Sequence, residues 1–157
     1  MRQIKFKGKC QRGYDYSNGD GWVYGSLLQK NNSVAIVRTD DIDLSPQNDD
    51  GYSQINDFGY IPIVESTVSQ FTGLADKNGK EIYEGDIVKV HIERADFVTV
   101  VTWGKNSRGW KLKCDRTNID RWGTIKYYSL PSSDRIEIIG NIHDNPEDIN
   151  YISKRIE

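Results

Sequence analysis

At 157 residues, 36% of them hydrophobic and with a formal net charge of -2, the chain is sized for one domain or two small ones. Charged residues make up 28% and nearly cancel, so no global field draws the chain toward nucleic acid or anionic lipid, and any such site has to be local. With aromatic residues at 11%, the core has to rest on a few large side chains, and a core that thin often leans on a partner.

The opening Met1-Arg2-Gln3-Ile4-Lys5-Phe6-Lys7 lacks the apolar stretch of a signal peptide, and no run has the length of a membrane span. The expectation is a cytosolic protein with no membrane association. Cys10 and Cys114 are too far apart for a chelating CxxC pair and read as ordinary reduced thiols.

In chain order, Ile4 to Lys9 mixes apolar and basic residues as a short strand. A glycine-rich polar turn through Gly13, Asn18, Gly19 and Gly21 then leads to a second strand at Trp22-Val23-Tyr24. Ser33 to Arg38 is a third, β-branched run. From Thr39 to Asp57 the chain is polar and carries Asp40, Asp41, Asp43, Asp49, Asp50 and Asp57. Their spacing lacks the ordered pattern of a calcium loop, which leaves a solvated loop as the reading. Tyr60 to Val64 reads as extended. Ser66 to Phe71 fits either a helical turn capped by Ser66 or another strand.

Asp76-Lys77-Asn78-Gly79-Lys80 centres on Asn-Gly, which predicts a tight hairpin turn of type I′. Glu84-Gly85-Asp86 makes a second turn, and Ile87 to Ile92 alternates as a half-buried strand. Phe97 to Trp103 is the strongest β run. A loop from Gly104 to Gly109 then leads to a strand at Trp110 to Cys114, and Trp122 to Leu130 and Arg135 to Ile142 supply two more strands. Asp144-Asn145-Pro146-Glu147 offers a capped start for a short C-terminal helix from about Pro146 to Lys154. The expected fold class is therefore all-β. Residues 1–68 form an irregular N-terminal β region with an acidic loop, 69–88 a turn-rich central segment, and 89–157 a small SH3-like barrel and tail.

Turn chemistry accounts for Gly73, Gly79, Gly85, Asp76, Asn78 and Asp86 in the central segment. It does not require Gln70, Thr72, Lys80, Glu81, Tyr83 and Glu84, which are the candidates for a subunit interface or a ligand surface. Asp76, Glu81, Glu84 and Asp86 raise the alternative of a metal-dependent hydrolase. They lie on one short segment beside Lys77 and Lys80, however, rather than converging from separate elements. His91 and His143 belong to no zinc or triad spacing, and no phosphate-loop motif occurs, so neither a metal site nor a cofactor is expected. The second functional alternative is nucleic-acid binding. Lys105, Arg108, Trp110, Lys111, Lys113, Arg116 and Arg121 interleave basic and aromatic side chains as a single-strand binder does, although strand alternation also explains them as core tryptophans and solvated lysines.

The segments Gln70-Phe71-Thr72-Gly73-Leu74 and Asp76 to Val88 resemble the YopX-like family of phage and prophage proteins. So do Ile4-Lys5-Phe6, Trp22-Val23-Tyr24-Gly25 and Ile139-Gly140-Asn141-Ile142-His143-Asp144-Asn145-Pro146-Glu147. That resemblance implies an all-β, oligomer-forming phage accessory protein in the cytoplasm of a bacterial host. It brings no catalytic residues with it. A homo-oligomer acting by binding, with a host or phage protein or a nucleic acid as partner, is the expected function.

Overall fold

The computed structural model describes residues 3–12, 19–31, 33–38, 60–92, 95–104, 108–115 and 125–145. The chain divides into two compact units, Met1–Gln70 and Phe71–Glu157. Strands carry nearly all of the described structure. Helical geometry among these residues is confined to two single 3-10 turns, Glu65–Thr67 and Ser133–Arg135, and no described helix is long and apolar enough to cross a membrane.

In the first unit, β1 (Phe6–Lys9) pairs antiparallel with β2 (Trp22–Lys30), β2 with β3 (Ser33–Val37), and β3 with β4 (Tyr60–Pro62). The β2–β3 connection is tight: Lys30 faces Ser33, and Asn31 takes φ +52, a left-handed conformation that asparagine tolerates well. On the other side of β1, Phe6 and Lys7 pair with Gln70 and Ser69 at the start of β5 (Ser69–Ala75). An isolated bridge between Cys10 and Ile63 ties the ends of β1 and β4 together.

Period-2 alternation sends Val23, Val34, Ile36, Ile61 and Ile63 to one core, against which Phe6, Cys10, Leu27 and Val68 pack. Both readings of Ser66 to Phe71 hold in part, because a 3-10 turn at Glu65–Thr67 runs directly into β5. Ser66 is not its cap. Thr67 holds the turn, donating from Oγ1 to the Val64 carbonyl at 2.6 Å and accepting the Lys9 N–H at 2.9 Å.

In the second unit, β5 continues into a pairing with β6 (Glu81–Tyr83). A five-stranded antiparallel sheet follows, built from β7 (Asp86–Ile92), β8 (Ala95–Gly104), β9 (Gly109–Asp115), β10 (Ile125–Ser129) and β11 (Ile136–Asn141). Its order is β10-β9-β8-β7-β11: four strands meander and the fifth returns beside the first. The SH3-like barrel anticipated for this region is not confirmed, because among the described residues no pairing joins β10 to β11 and the sheet stays open. The all-β class holds, whereas the helix expected from Pro146 lies outside the described residues.

One face of the five-stranded sheet buries Val88, Val90, Val101, Leu112 and Ile136 with Ile82 of β6, and Trp110, Tyr128, Leu130 and Ile138 pack against this cluster. Alternation along β7, β8 and β9 leaves Lys89, His91, Asp96, Val98, Val100, Thr102, Lys111 and Lys113 on the opposite face.

Gly8 marks a close approach in the first core. A Cβ there would lie 3.2 and 3.3 Å from Cβ and Cγ1 of Ile63, with Ile63 Cδ1 closer still. Gly8→Ala is expected to lower the unfolding midpoint in urea by the equivalent of about 1–3 kcal/mol, the ordinary cost of overfilling a packed core. Adding Ile63→Val should recover part of the loss; a Gly8→Ala protein as stable as the parent would contradict this packing.

Candidate functional site

The central segment is built around two buried carboxylates. Asp76 follows β5, and its Oδ1 accepts the N–H groups of Asn78 at 2.8 Å and Lys80 at 2.9 Å. The backbone closes the same turn, with Gly79 N–H donating to the Asp76 carbonyl at 3.0 Å and Asp76 N–H to the Lys80 carbonyl at 2.8 Å. This corrects the type I′ expectation. Of Asn78 and Gly79 only Gly79 has positive φ, at +81, so the loop is a three-residue turn ending in a glycine bulge. The reason is the carboxylate, which gathers the Asn78 and Lys80 N–H groups on one side.

The other oxygen of Asp76 reaches out of the turn. Oδ2 accepts the N–H of Ile138 in β11 at 3.1 Å, while Lys77 N–H donates to the Ile136 carbonyl at 2.9 Å. Two backbone groups on the outer edge of β11 are thus met by the turn. Asp76 is 4% exposed. Burial alone would raise its pKa, but the N–H groups of Ile138, Lys80 and Asn78 together hold the carboxyl below its ordinary range.

Asp86, at the start of β7, is the second carboxylate. Its Oδ2 accepts the Tyr83 N–H at 2.7 Å and its Oδ1 accepts Nδ2 of Asn141, the last residue of β11, at 3.0 Å. Asn141 in turn accepts the His143 N–H at 2.9 Å. Beside it, Gly85 takes φ +80, donates to the Val101 carbonyl at 2.9 Å and accepts the Ile142 N–H at 3.0 Å. Gly85-Asp86 therefore joins β6, β7, β8 and the turn after β11. The segments Asp76 to Val88 and Ile139 to Asn145, distant in sequence, are one hydrogen-bonded assembly.

Thr72 and Tyr83, two of the interface candidates, turn inward. Between the pairs Phe71–Tyr83 and Ala75–Glu81 the register shifts, and Thr72, Gly73 and Leu74 stand opposite Ile82 alone. Thr72 Oγ1 spans this bulge, donating to the Ile82 carbonyl at 2.8 Å and accepting the Leu74 N–H at 3.2 Å. The bulge presents Leu74, 40% exposed. Tyr83 is 1% exposed, its ring 5.5 Å from that of Phe71 and its hydroxyl donating to Glu81 at 2.6 Å. Among the other candidates, Lys80 is exposed, Gln70 and Glu81 are half-buried, and half-buried Glu84 accepts the Trp103 N–H at 3.3 Å. These six residues form no single patch of free side chains.

Strand alternation separates the basic and aromatic candidates. Trp110 lies on the core side of β9, against the cluster that holds Leu112, while Lys111 and Lys113 point from the other face. Trp103, 43% exposed, stands edge-on to Trp110 with centroids 5.0 Å apart; the Trp110 indole N–H is buried without an acceptor among the described residues. Arg108 is exposed in the β8–β9 loop at φ +49. Lys105, Arg116 and Arg121 fall outside the described residues.

A groove of about 170 Å³ lies at one end of the outer face of the five-stranded sheet, and the sequence reading did not assemble it. It is lined by Lys77, Lys89, His91, Arg135, Asp96 and Glu137, with Asp134 and Ile136 beside them. Lys77 pairs with Glu137 at 2.7 Å, and Asp96 takes Lys89 at 2.8 Å and His91 Nδ1 at 2.7 Å. These groups are between about a third and two thirds exposed, so each pair contributes little to stability. Hydrogen bonds from Lys89 and then His91 depress the Asp96 pKa; the same contact with Asp96 raises that of Lys89. The available signal was the alternation of Lys89 and His91 on the face of β7 opposite Val88 and Val90. The contributions of Lys77 and Glu137 depend on a pairing across 60 residues.

A small all-β chain whose most distinctive polar residues hold its own strands together is the class that fold and site define. The chain belongs to the YopX family: the family model described as YopX protein matches residues 12–150. No curated protein matches it.

Asp76 gives a pH prediction. Its folded pKa lies below the unfolded value of 3.8, so its stabilisation is complete above that pH and is lost as pH falls through the depressed folded value. Asp76→Asn should be less stable at neutral pH by about 1–3 kcal/mol. The gap to the parent should shrink in acid, read as urea midpoints on descending pH; a gap independent of pH would contradict the clamp.

Proposed function

We propose that this chain is a phage or prophage accessory protein that acts by binding, as a homo-oligomer, and not by catalysis. The observation that carries the reading is the placement of the central segment. Asp76, Asp86, Thr72 and Tyr83, the polar residues that a site on this segment would draw on, are buried and engaged with the backbone or with neighbouring side chains.

A hydrolase needs carboxylates that are free to meet a substrate or a metal ion. Asp76 spends both oxygens on backbone N–H groups, and Asp86 uses one oxygen on the Tyr83 N–H and the other on Asn141. Their chemistry is that of strand clamps. The phage assignment is supported by membership of the YopX family. Exposed large apolar side chains on both units support the oligomer: Ile4 and Tyr60 on the first, Leu74, Trp103 and Ile139 on the second.

Light scattering coupled to size exclusion tests the assembly. A mass that is a multiple of 18.0 kDa, held on dilution to low micromolar concentration, is the expected result. A species of 18.0 kDa at every concentration would overturn it. Asp86→Asn tests the clamp reading separately: it should lower the unfolding midpoint by about 1–3 kcal/mol, as expected when a buried hydrogen-bonded carboxylate is altered. A variant of parental stability would remove the argument against a chemical role.

A further inference from the structure

We propose that the outer face of the five-stranded sheet docks the phosphate backbone of nucleic acid. The proposal rests on the reading of the chain as a binding protein and names the partner. Five cations stand on this face or on the groove at its end: Lys89 of β7, Lys111 and Lys113 of β9, Lys77 of the turn, and Arg135 of the 3-10 turn before β11. Among the residues whose side chains are described, three acids accompany them, and each is paired or hydrogen-bonded. Asp96 is bound by Lys89 and His91, Glu137 by Lys77, and Asp134 by a Ser132 hydrogen bond. Among these described side chains the surplus is positive, on a chain whose formal net charge is -2.

Arrangement selects the occupant. Lys89 and Lys113 lie on strands separated by β8, about 10 Å apart at the spacing of neighbouring strands, and Lys111 follows Lys113 on the same side of β9 by about 7 Å. The cations thus lie along a diagonal and do not converge on one point. A single small anion gains from only one or two of them, whereas a chain of regularly spaced phosphates meets several in turn. Lys111 donates to the Ser129 hydroxyl at 2.9 Å, a neutral partner. Half-buried Val98, Val100 and Thr102 floor the track.

This surface differs from the basic and aromatic stretch read from the sequence. It shares Lys111 and Lys113 with that stretch but takes Lys77, Lys89 and Arg135 from other elements, and it leaves Trp110 on the opposite, core-side face. Binding should therefore be led by charge, weakly selective for sequence, and steeply dependent on salt.

Fluorescence anisotropy with labelled single-stranded and duplex oligonucleotides tests this, with light scattering on the same samples. Saturable binding is expected at about 50 mM salt, weakening about tenfold or more by about 200 mM. The double variant Lys111→Glu and Lys113→Glu should lose about tenfold or more in affinity, while Lys80→Glu, an exposed lysine off this face, should bind as the parent does. Absence of binding at low salt, an unchanged affinity in the double variant, or equally tight binding of polyglutamate would each overturn the proposal, the last pointing to an acidic protein partner. An intact oligomer that binds no oligonucleotide sinks this inference and leaves the proposed function standing. A monomer that binds upholds this inference and removes the homo-oligomer from the proposed function.

Discussion

Two buried carboxylates fasten β11, the last described strand of the second unit, to the turns at Asp76 and Gly85. Asp76 reaches Ile138 across 62 residues and Asp86 reaches Asn141 across 55. Without these bonds, β11 would still lie beside β7, but the Asp76 turn and the Gly85 turn would each leave N–H groups without acceptors. A buried unmet donor costs about 1–3 kcal/mol, about twice the net value of an ordinary hydrogen bond. That asymmetry explains why acidic side chains sit in so small a hydrophobic interior. The donors around Asp76 favour its charged form, and both carboxylates are engaged by neighbouring groups.

The same clamps govern the edges of the five-stranded sheet. Along β11, Lys77 N–H and the Asp76 carboxylate engage the Ile136 carbonyl and the Ile138 N–H, groups that would otherwise face outward for another strand. The turn thus acts as a stop on one side of the sheet. It also carries Lys77 to Glu137 and so helps form the charged groove. One short segment contributes to folding, to edge protection and to the electrostatics of the exposed face.

Much of this fold could be read from the chain. The strands around Ile87, Val98 and Leu112 announce themselves by alternation, and Gly79 and Gly85 by the turn positions that need a left-handed residue. The central segment stood out as well, but its meaning did not. Nothing local to Asp76 shows that its second oxygen is directed at Ile138, because that partner is fixed only when β11 returns beside β7. Thr72 misled for a related reason: a threonine between Phe71 and Gly73 looks like an ordinary strand residue, and only the register slip against β6 turns its hydroxyl into the link that spans a bulge. The separation of Trp110 from Lys111 and Lys113, by contrast, follows from period 2 alone.

The return of β11 has a kinetic consequence. The polar groups gathered around Gly85 and Asp86 come from β6, β8 and a turn that ends near Asn145, and those supplied by Asn141 and Ile142 arrive only when β11 returns beside β7. A growing chain that has reached β10 can make the local bonds of both carboxylates, but Asp76 Oδ2 and Asp86 Oδ1 still wait for Ile138 and Asn141. Closure of this unit accordingly waits for β11, and until it arrives the edge of β7 that β11 later covers is open to other chains.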